Sequence, residues 1–281
     1  MTPASLSGLR CPLCAGALAL SGGALRCPAG HSFDLAREGY VNLLALQKKH
    51  AADPGDSREM VRARRAFLQG DWYAPFREAL AGLCLRYAPP GRPARLVDAG
   101  CGEGSYDAAV YRALAAAGAA PALVGFDLSR EAVRLAAKTL PEGAFCVGGS
   151  FAAPVRDGWA DLLLNIFSPF AQAEFARMLA PGGALLYAVP TARHLFGLKE
   201  VLYRTPYENE VRDIAYPGFA FAEAAEVTGA VTVPGSQLQN LFAMTPYFWN
   251  TPADGAARLA GLESLTTEIG FRFLVYRREN A

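Results

Sequence analysis

From Ala94 onward the chain alternates between short, unbroken apolar runs and longer stretches with helical spacing. ARLVDAG, ALVGFDLS, AFCVGG, ADLLLNIFS and GALLYAVP read as strands, and SYDAAVYRALAAA, SREAVRLAAKTL and AQAEFARMLAP as the helices between them. Continuous apolar strands separated by helices predict a parallel sheet covered on both faces. The tail, roughly 221 to 278, predicts strands near AEVTGAVTV and FRFLVYRR around a helix beginning near Gly235. Upstream, REMVRARRAFLQ puts Met60, Val61, Phe67 and Leu68 on one side of a helix and Arg58, Arg62, Arg64 and Arg65 largely elsewhere. The polar loop KKHAADPGDS precedes that helix, and Asp56 or Ser57 can cap it. A second helix is predicted over about 74 to 87, ending before Pro89-Pro90-Gly91, where we place a domain boundary. No internal repeat or low-complexity segment interrupts this order.

Residues 9 to 33 follow neither pattern. Cys11 and Cys14 form a C-x2-C pair, and Cys27 and His31 follow as C-x3-H after twelve intervening residues. Four sulfur or nitrogen ligands in two close pairs suit the tetrahedron of structural zinc, and a histidine in the set favours zinc over iron. Pro12 and Pro28 restrict the turns, and ALALSGGALR between the pairs reads as two short strands joined at Ser-Gly-Gly. The window is a zinc ribbon or rubredoxin-like knuckle. With all four positions filled by protein the metal is structural, and it supplies folding energy that so small a module lacks.

Composition narrows the setting. The 281 residues, 52% hydrophobic and 19% charged, fit a globular chain of one large domain or one large plus one small. With 27 Lys and Arg against 26 Asp and Glu, no bulk positive field draws the chain to nucleic acid or membrane, so any such surface is local. No apolar run reaches the length of a membrane span, and MTPASLSGLR lacks the basic start and apolar core of a secretory signal. A cytoplasmic protein is expected, in which the six cysteines form no disulfide framework. Cys84, Cys101 and Cys146 then read as small buried thiols.

The first strand of the alternating region runs into VDAGCGEGSY, where Gly100, Gly102 and Gly104 let a ligand approach the backbone closely. The dinucleotide spacing G-x-G-x-x-G fails, because its last position is Ser105. Asp127 ends the second strand, where a carboxylate accepts hydrogen bonds from two ribose hydroxyls, and Asp98 can accept from a ligand ammonium. A nucleoside joined to an amino acid without phosphate fits better than NAD does, and S-adenosylmethionine is such a ligand. With the PGG turn at 181 to 183, the pattern resembles the class I methyltransferases. After the fourth strand, NIFSPF resembles only loosely the Asn/Asp-Pro-Pro-Tyr motif that holds exocyclic amines, which argues weakly against such an acceptor.

Taken in order, the C-x2-C-P...C-x3-H ribbon, FDLAREGYVNLL, DPGDSREMVRARRAFL, DAGCGEGSY, PTARHLFGLKE and MTPYFW resemble the bacterial 23S rRNA (guanine-N1)-methyltransferases over nearly the full length. The fold this implies is α/β, a Rossmann-like class I methyltransferase sheet with a small N-terminal zinc-ribbon domain. The division is 1–45 as the ribbon for RNA recognition, 46–91 as a helical linker and 92–281 as the methyltransferase domain. The resemblance implies S-adenosylmethionine as methyl donor and Zn2+ on Cys11, Cys14, Cys27 and His31. It implies as acceptor N1 of a guanine in a domain II hairpin loop of 23S rRNA, near the peptide tunnel. One of its two subgroups confers macrolide resistance. Gly102, Glu103, Tyr73 and His194 are implied to join Asp98, Gly100, Gly104 and Asp127 around the donor. A homodimer is implied, with Lys48, Lys49, Arg58, Arg62, Arg64 and Arg65 as a local basic patch for RNA. Guanine N1 carries a proton, so a base should assist, and Asp56 or Glu59 is the expected carboxylate. Phe33, Tyr40, Trp72 and Phe170 could stack on bases, core packing being the alternative for each. Two competing functions fit parts of the pattern: a small-molecule methyltransferase, and a non-catalytic RNA-binding factor that retains the donor.

Overall fold

The computed structural model describes residues 1–44, 55–118, 121–211 and 215–279. In chain order, α1 (Pro3–Leu6) precedes a small antiparallel sheet of β1 (Ala19–Ser21), β2 (Ala24–Arg26) and β3 (Ser32–Asp34). Then come β4 (Val41–Asn42) and two helices, α2 (Arg58–Leu68) and α3 (Ala74–Tyr87). The alternating region follows as β5 (Arg95–Ala99), α4 (Ser105–Ala116), β6 (Ala122–Asp127), α5 (Arg130–Thr139), β7 (Ala144–Val147), β8 (Ala160–Ile166), α6 (Gln172–Met178) and β9 (Leu179–Pro190). The chain ends with α7 (Phe196–Leu202), β10 (Phe219–Pro234), α8 (Gly235–Ala243), α9 (Ala253–Ala260) and β11 (Ser264–Arg278).

The large sheet has eight strands in the order β10-β11-β9-β8-β5-β6-β7-β4. Strands β9, β8, β5, β6, β7 and β4 run parallel, while β11 lies antiparallel to β9 and β10 antiparallel to β11. Strand β5 is central and its two neighbours lie on opposite sides, so the order reverses there. Ligands of open α/β sheets bind in the crevice beyond the strand tips at that point. Every described side chain of β5 beyond Arg95 and all seven of β8 are buried. Both faces of these strands are covered, as their unbroken apolar runs predict.

Local chemistry explains where the helices begin. Ser57 Oγ accepts from Met60 N at the start of α2, and Ser129 Oγ accepts from Ala132 N at the start of α5. Helix α5 buries Ala132, Val133, Ala136 and Ala137, one stripe at helical spacing, and turns Arg and Lys outward.

The N-terminal module is tied to the rest of the fold by strand pairing, by backbone bonds and by a shared core. Strand β4 pairs with β7 through Val41–Cys146 and Asn42–Val147. Arg10 N donates to Pro154 O and Arg156 N to Gly8 O, both at 2.9 Å. Gly8 permits this approach, since a Cβ there would lie 2.7 Å from a methyl of Val124 and 2.8 Å from the Trp159 ring. Leu9, Leu18 and Leu25 then share one buried cluster with Phe126, Val155 and Trp159. On the other side, Phe67 of α2 and Phe76 and Leu80 of α3 are fully buried in the cluster that holds Phe271 and Phe273. Cys84, Cys101 and Cys146 are buried free thiols.

Candidate metal centre and donor site

Cys11, Cys14, Cys27 and His31 converge, with one ligand atom from each and all four within 4.8 Å of one another. His31 presents Nδ1, 3.5 Å from Cys11 Sγ and 3.3 Å from Cys27 Sγ, and Cys14 Sγ lies 3.6 Å from Cys27 Sγ. A tetrahedral zinc with bonds of about 2.3 Å to sulfur and about 2.0 Å to nitrogen requires ligand separations of roughly 3.5–3.8 Å. The residues fit the ion. Two tight turns present them: Ala15 N donates to Cys11 O at 2.9 Å, and Gly30 N to Cys27 O at 3.0 Å. Gly30 has φ 85°, which glycine adopts without strain.

The glycine loop leaves β5 and enters α4 at the crevice. Gly100, Gly102 and Gly104 all have positive φ, at 92°, 54° and 84°. A Cβ on Gly104 would lie 2.8 Å from Ala136 Cα, and one on Gly100 would lie 2.5 Å from Ser168 Oγ. The loop is thereby pressed against α5 on one side and the end of β8 on the other. Around Gly102 no described atom lies within 4 Å of that position, so this is the glycine a ligand can reach. Asp127 at the tip of β6 holds the loop: Oδ2 accepts from Gly102 N at 3.1 Å and Oδ1 from Ser129 N at 2.8 Å. Glu103 is buried and accepts from Ser105 N at 3.2 Å, with Arg65 3.9 Å away.

Asp98 lies beneath this loop, buried, against the equally buried Asp107 of α4. Asp98 Oδ1 and both oxygens of Asp107 meet no donor among the described residues. Two carboxyls closed off together must share a proton. Burial raises Asp98 to about 7, while the proton it accepts from Asp107 opposes that shift. Asp107 is pushed well above the carboxylate range by burial and by the charge of Asp98. Asp107 thus holds the proton and donates it toward Asp98. Nothing in the sequence around Asp107 signalled this pair.

Across the crevice, Tyr73 Oη lies 3.3 Å from His194 Nε2, and Gly270 N donates to His194 Nδ1 at 3.2 Å. Burial lowers His194 to about 4, so the ring is neutral. Its Nδ1 accepts, so the single ring proton sits on Nε2 and points at the tyrosine oxygen. Burial also raises the Tyr73 phenol, which leaves its O–H intact. Phe271 packs edge-on to Tyr73, with ring centroids 4.9 Å apart.

Phe167, at the tip of β8, is stacked on His194 with 6.3 Å between centroids and on Phe76 with 5.8 Å. It is 46% exposed and has φ 52°, uncommon for a residue with a Cβ. Phe170, the aromatic that NIFSPF suggested, instead stacks on Tyr216 at 3.8 Å. Of the other aromatics weighed for base stacking, Tyr40 is buried and Trp72 stacks on Phe67 at 4.9 Å. Leu128, next to Asp127 in the chain, and Phe151, beyond β7, expose apolar surface that the sequence did not single out.

A family model described as RlmA, N-terminal, the Zn ribbon of RlmA, matches residues 9–52. Along 94% of this chain and 95% of its own length, the 23S rRNA (guanine(748)-N(1))-methyltransferase of Streptomyces fradiae is 38% identical. A Micromonospora griseorubida protein, provisionally named a 23S rRNA (guanine-N(1)-)-methyltransferase, is 37% identical over 99% of both chains. The chain belongs to the 23S rRNA (guanine-N1)-methyltransferase family. The crystal structure of the YcgJ protein of Bacillus subtilis shares the sheet, with TM-score 0.50 and 14% identity over 73% of this chain and 100% of that one. The family's ribbon match encloses all four metal-site residues.

The basic patch is divided. Arg64 pairs with Asp56 at 2.5 Å and donates to Met244 O at 3.2 Å, and Arg65 donates to Thr139 Oγ1 at 3.1 Å. Arg62 is exposed beside Glu131 at 3.2 Å, and Arg58 is exposed. Lys48 and Lys49 lie outside the described residues. Of the two candidate bases, Glu59 is on the exposed side of α2, whereas Asp56 lines a cleft.

Proposed function

We propose that the protein transfers a methyl group from S-adenosylmethionine to N1 of a guanine in the domain II hairpin loop of 23S rRNA. The observation that carries this is the whole-length match to the S. fradiae relative, whose name specifies that atom and guanine 748. Guanine 748 is the position to test first, with reduced macrolide binding as its consequence. When bound, the donor supplies an electrophilic methyl on a sulfonium: the C–N1 bond forms as the C–S bond breaks, and the electron pair stays on sulfur.

The chain's own residues align and exclude water. Asp127 would accept from the ribose hydroxyls, Gly102 and Glu103 would hold the donor along the loop, and Leu128 would offer apolar surface to its purine. The Tyr73 O–H, fixed by His194, donates to the amino-acid end. Asp98 compensates the ammonium charge, and Gly100 and Gly104 hold the loop open. Asp56 takes the N1 proton. Cys11, Cys14, Cys27 and His31 would hold Zn2+ and stiffen the ribbon. Residues 1–45 grip the hairpin backbone, 46–91 bring α2 and α3 over the crevice, and 92–281 carry the donor. Arg58 and Arg62, with Lys48 and Lys49, meet phosphates.

We assign the working form as a cytoplasmic homodimer. Among the described residues no helix is long and apolar enough to cross a membrane. Incubation of the protein with S-adenosylmethionine and unmodified 23S rRNA, followed by primer extension through the hairpin, tests the reaction. N1 methylation blocks the pairing edge, so a donor-dependent stop one nucleotide before the modified guanine is expected. Donor binding without any stop would refute it and favour the non-catalytic alternative.

A further inference from the structure

DPGDSREMVRARRAFL and MTPYFW are distant in sequence, and the donor site uses neither. They meet in space. Trp249 Nε1 donates to Met60 Sδ at 3.3 Å across 189 residues, and Arg64 reaches Met244 O across 180. Between them lies a cleft of about 500 Å³ whose walls include Asp56, Ser57, Arg58, Met60 and Trp249. Trp249 is 63% exposed although it is the largest apolar side chain there. Its edge is fixed by Met60 and by Phe248, which meets it at 83° with centroids 5.2 Å apart. An indole anchored at its edge and open on a face is a stacking platform.

The cleft also has a hydrogen-bonding edge. Arg64 holds Asp56 Oδ2 at 2.5 Å, which orients the carboxylate, and Oδ1 receives no hydrogen bond from the described residues. Arg58 stands on the same rim. Guanine presents two adjacent donors, N1–H and the 2-amino group, beside the O6 acceptor. A carboxylate next to a guanidinium matches that order, whereas adenine offers an acceptor at N1. The cleft shares a wall with the donor crevice: Ser129 Oγ donates to Asp56 O at 3.0 Å while Ser129 N donates to Asp127 at 2.8 Å.

We infer that this cleft holds the unstacked acceptor guanine, with Trp249 stacked on its ring and Asp56 pairing with its N1–H and 2-amino edge. This rests on the methyl transfer proposed above. Asp56 takes the N1 proton before the methyl arrives and then stays with the 2-amino group alone, which leaves the in-plane N1 lone pair open toward the donor.

The test uses the full protein and two hairpin RNAs, with guanosine or inosine at the target; inosine lacks only the 2-amino group. Single-turnover rates are followed by primer extension, and donor affinity by calorimetry with S-adenosylhomocysteine. Trp249→Ala should slow transfer roughly ten- to a hundredfold, the range of one base–aromatic stack, with donor affinity unchanged and Trp249→Phe restoring most of the rate. The wild-type protein should prefer guanosine to inosine, and Asp56→Ala should bring that ratio close to one. A wild-type stop with full activity in Trp249→Ala, or with the guanosine preference intact in Asp56→Ala, overturns the cleft assignment alone. No stop with the wild-type protein overturns the reaction itself, and the cleft's role with it.

Discussion

Replacing Asp107 by Asn should favour the variant over the wild-type protein more at pH 8 than at pH 6. In the native state Asp107 is closed off with Asp98, and burial plus the neighbouring carboxylate push it well above its ordinary value. Asp98, raised to about 7, is the partner that ionises first. In the unfolded chain both titrate near pH 4. Between pH 6 and 8 the native state therefore binds at least one proton that the unfolded state lacks, and stability falls as pH rises. The slope for one proton is about 1.4 kcal/mol per pH unit. Over two units the wild-type protein should lose roughly 3 kcal/mol from this source. Asparagine is nearly isosteric, cannot ionise, and keeps a donor toward Asp98, so the variant loses most of that slope. His194 has the opposite sign: it is held neutral with its value lowered to about 4. Its stabilising effect grows as pH rises and is complete above the unfolded value near 6.5. Because both proteins carry it, it cancels in the difference. Urea unfolding of the two proteins at pH 6, 7 and 8 measures that difference directly. A difference independent of pH would mean that Asp107 is ionised in the native state, and the shared-proton account would be wrong.

Two further outcomes are expected. Gly104→Ala should cost roughly 2 kcal/mol or more, because φ 84° strains any side chain and its Cβ would meet Ala136 Cα at 2.8 Å; weaker S-adenosylhomocysteine binding and a lower Tm check it. Metal removal by a strong chelator, or Cys14→Ala, should lower the Tm of the whole protein rather than release the ribbon alone, since Leu9, Leu18 and Leu25 share a core with Phe126 and Trp159; calorimetry beside a zinc assay of one ion per chain decides it.

The alternating region was legible because its strands are buried on both faces and so carry unbroken apolar runs. The metal set was legible for a different reason: ligand chemistry restricts spacing more tightly than secondary structure does. Strands β3 and β4 were not legible. At three and two residues they are too short to carry a period, and β4 exists through its pairing with Cys146 and Val147, far away in sequence. NIFSPF drew attention to Phe170, while the left-handed turn at Phe167 puts the exposed ring three residues earlier. A single sequence shows which residue types stand at a strand end, but not which one the final turn directs into the crevice. Asp98 was legible as a position; its closure with Asp107 depends on how α4 packs.

The helix that read as a basic patch connects these parts. Ser57 caps α2 while the backbone of Asp56 accepts from Ser129, so the start of the helix is fastened to the tip of β6. Two turns on, Arg64 returns to Asp56 and reaches Met244, which draws the segment bearing Trp249 over the cleft. Arg65, next along, faces Glu103 in the glycine loop. Two of the four arginines thus turn inward, where partial burial shields their ion pairs from salt better than at the surface. Phosphate binding could have used all four. The fold instead uses Arg64 and Arg65 to hold the guanine cleft in register with the donor loop, and alignment between those two sites is what an in-line methyl transfer depends on.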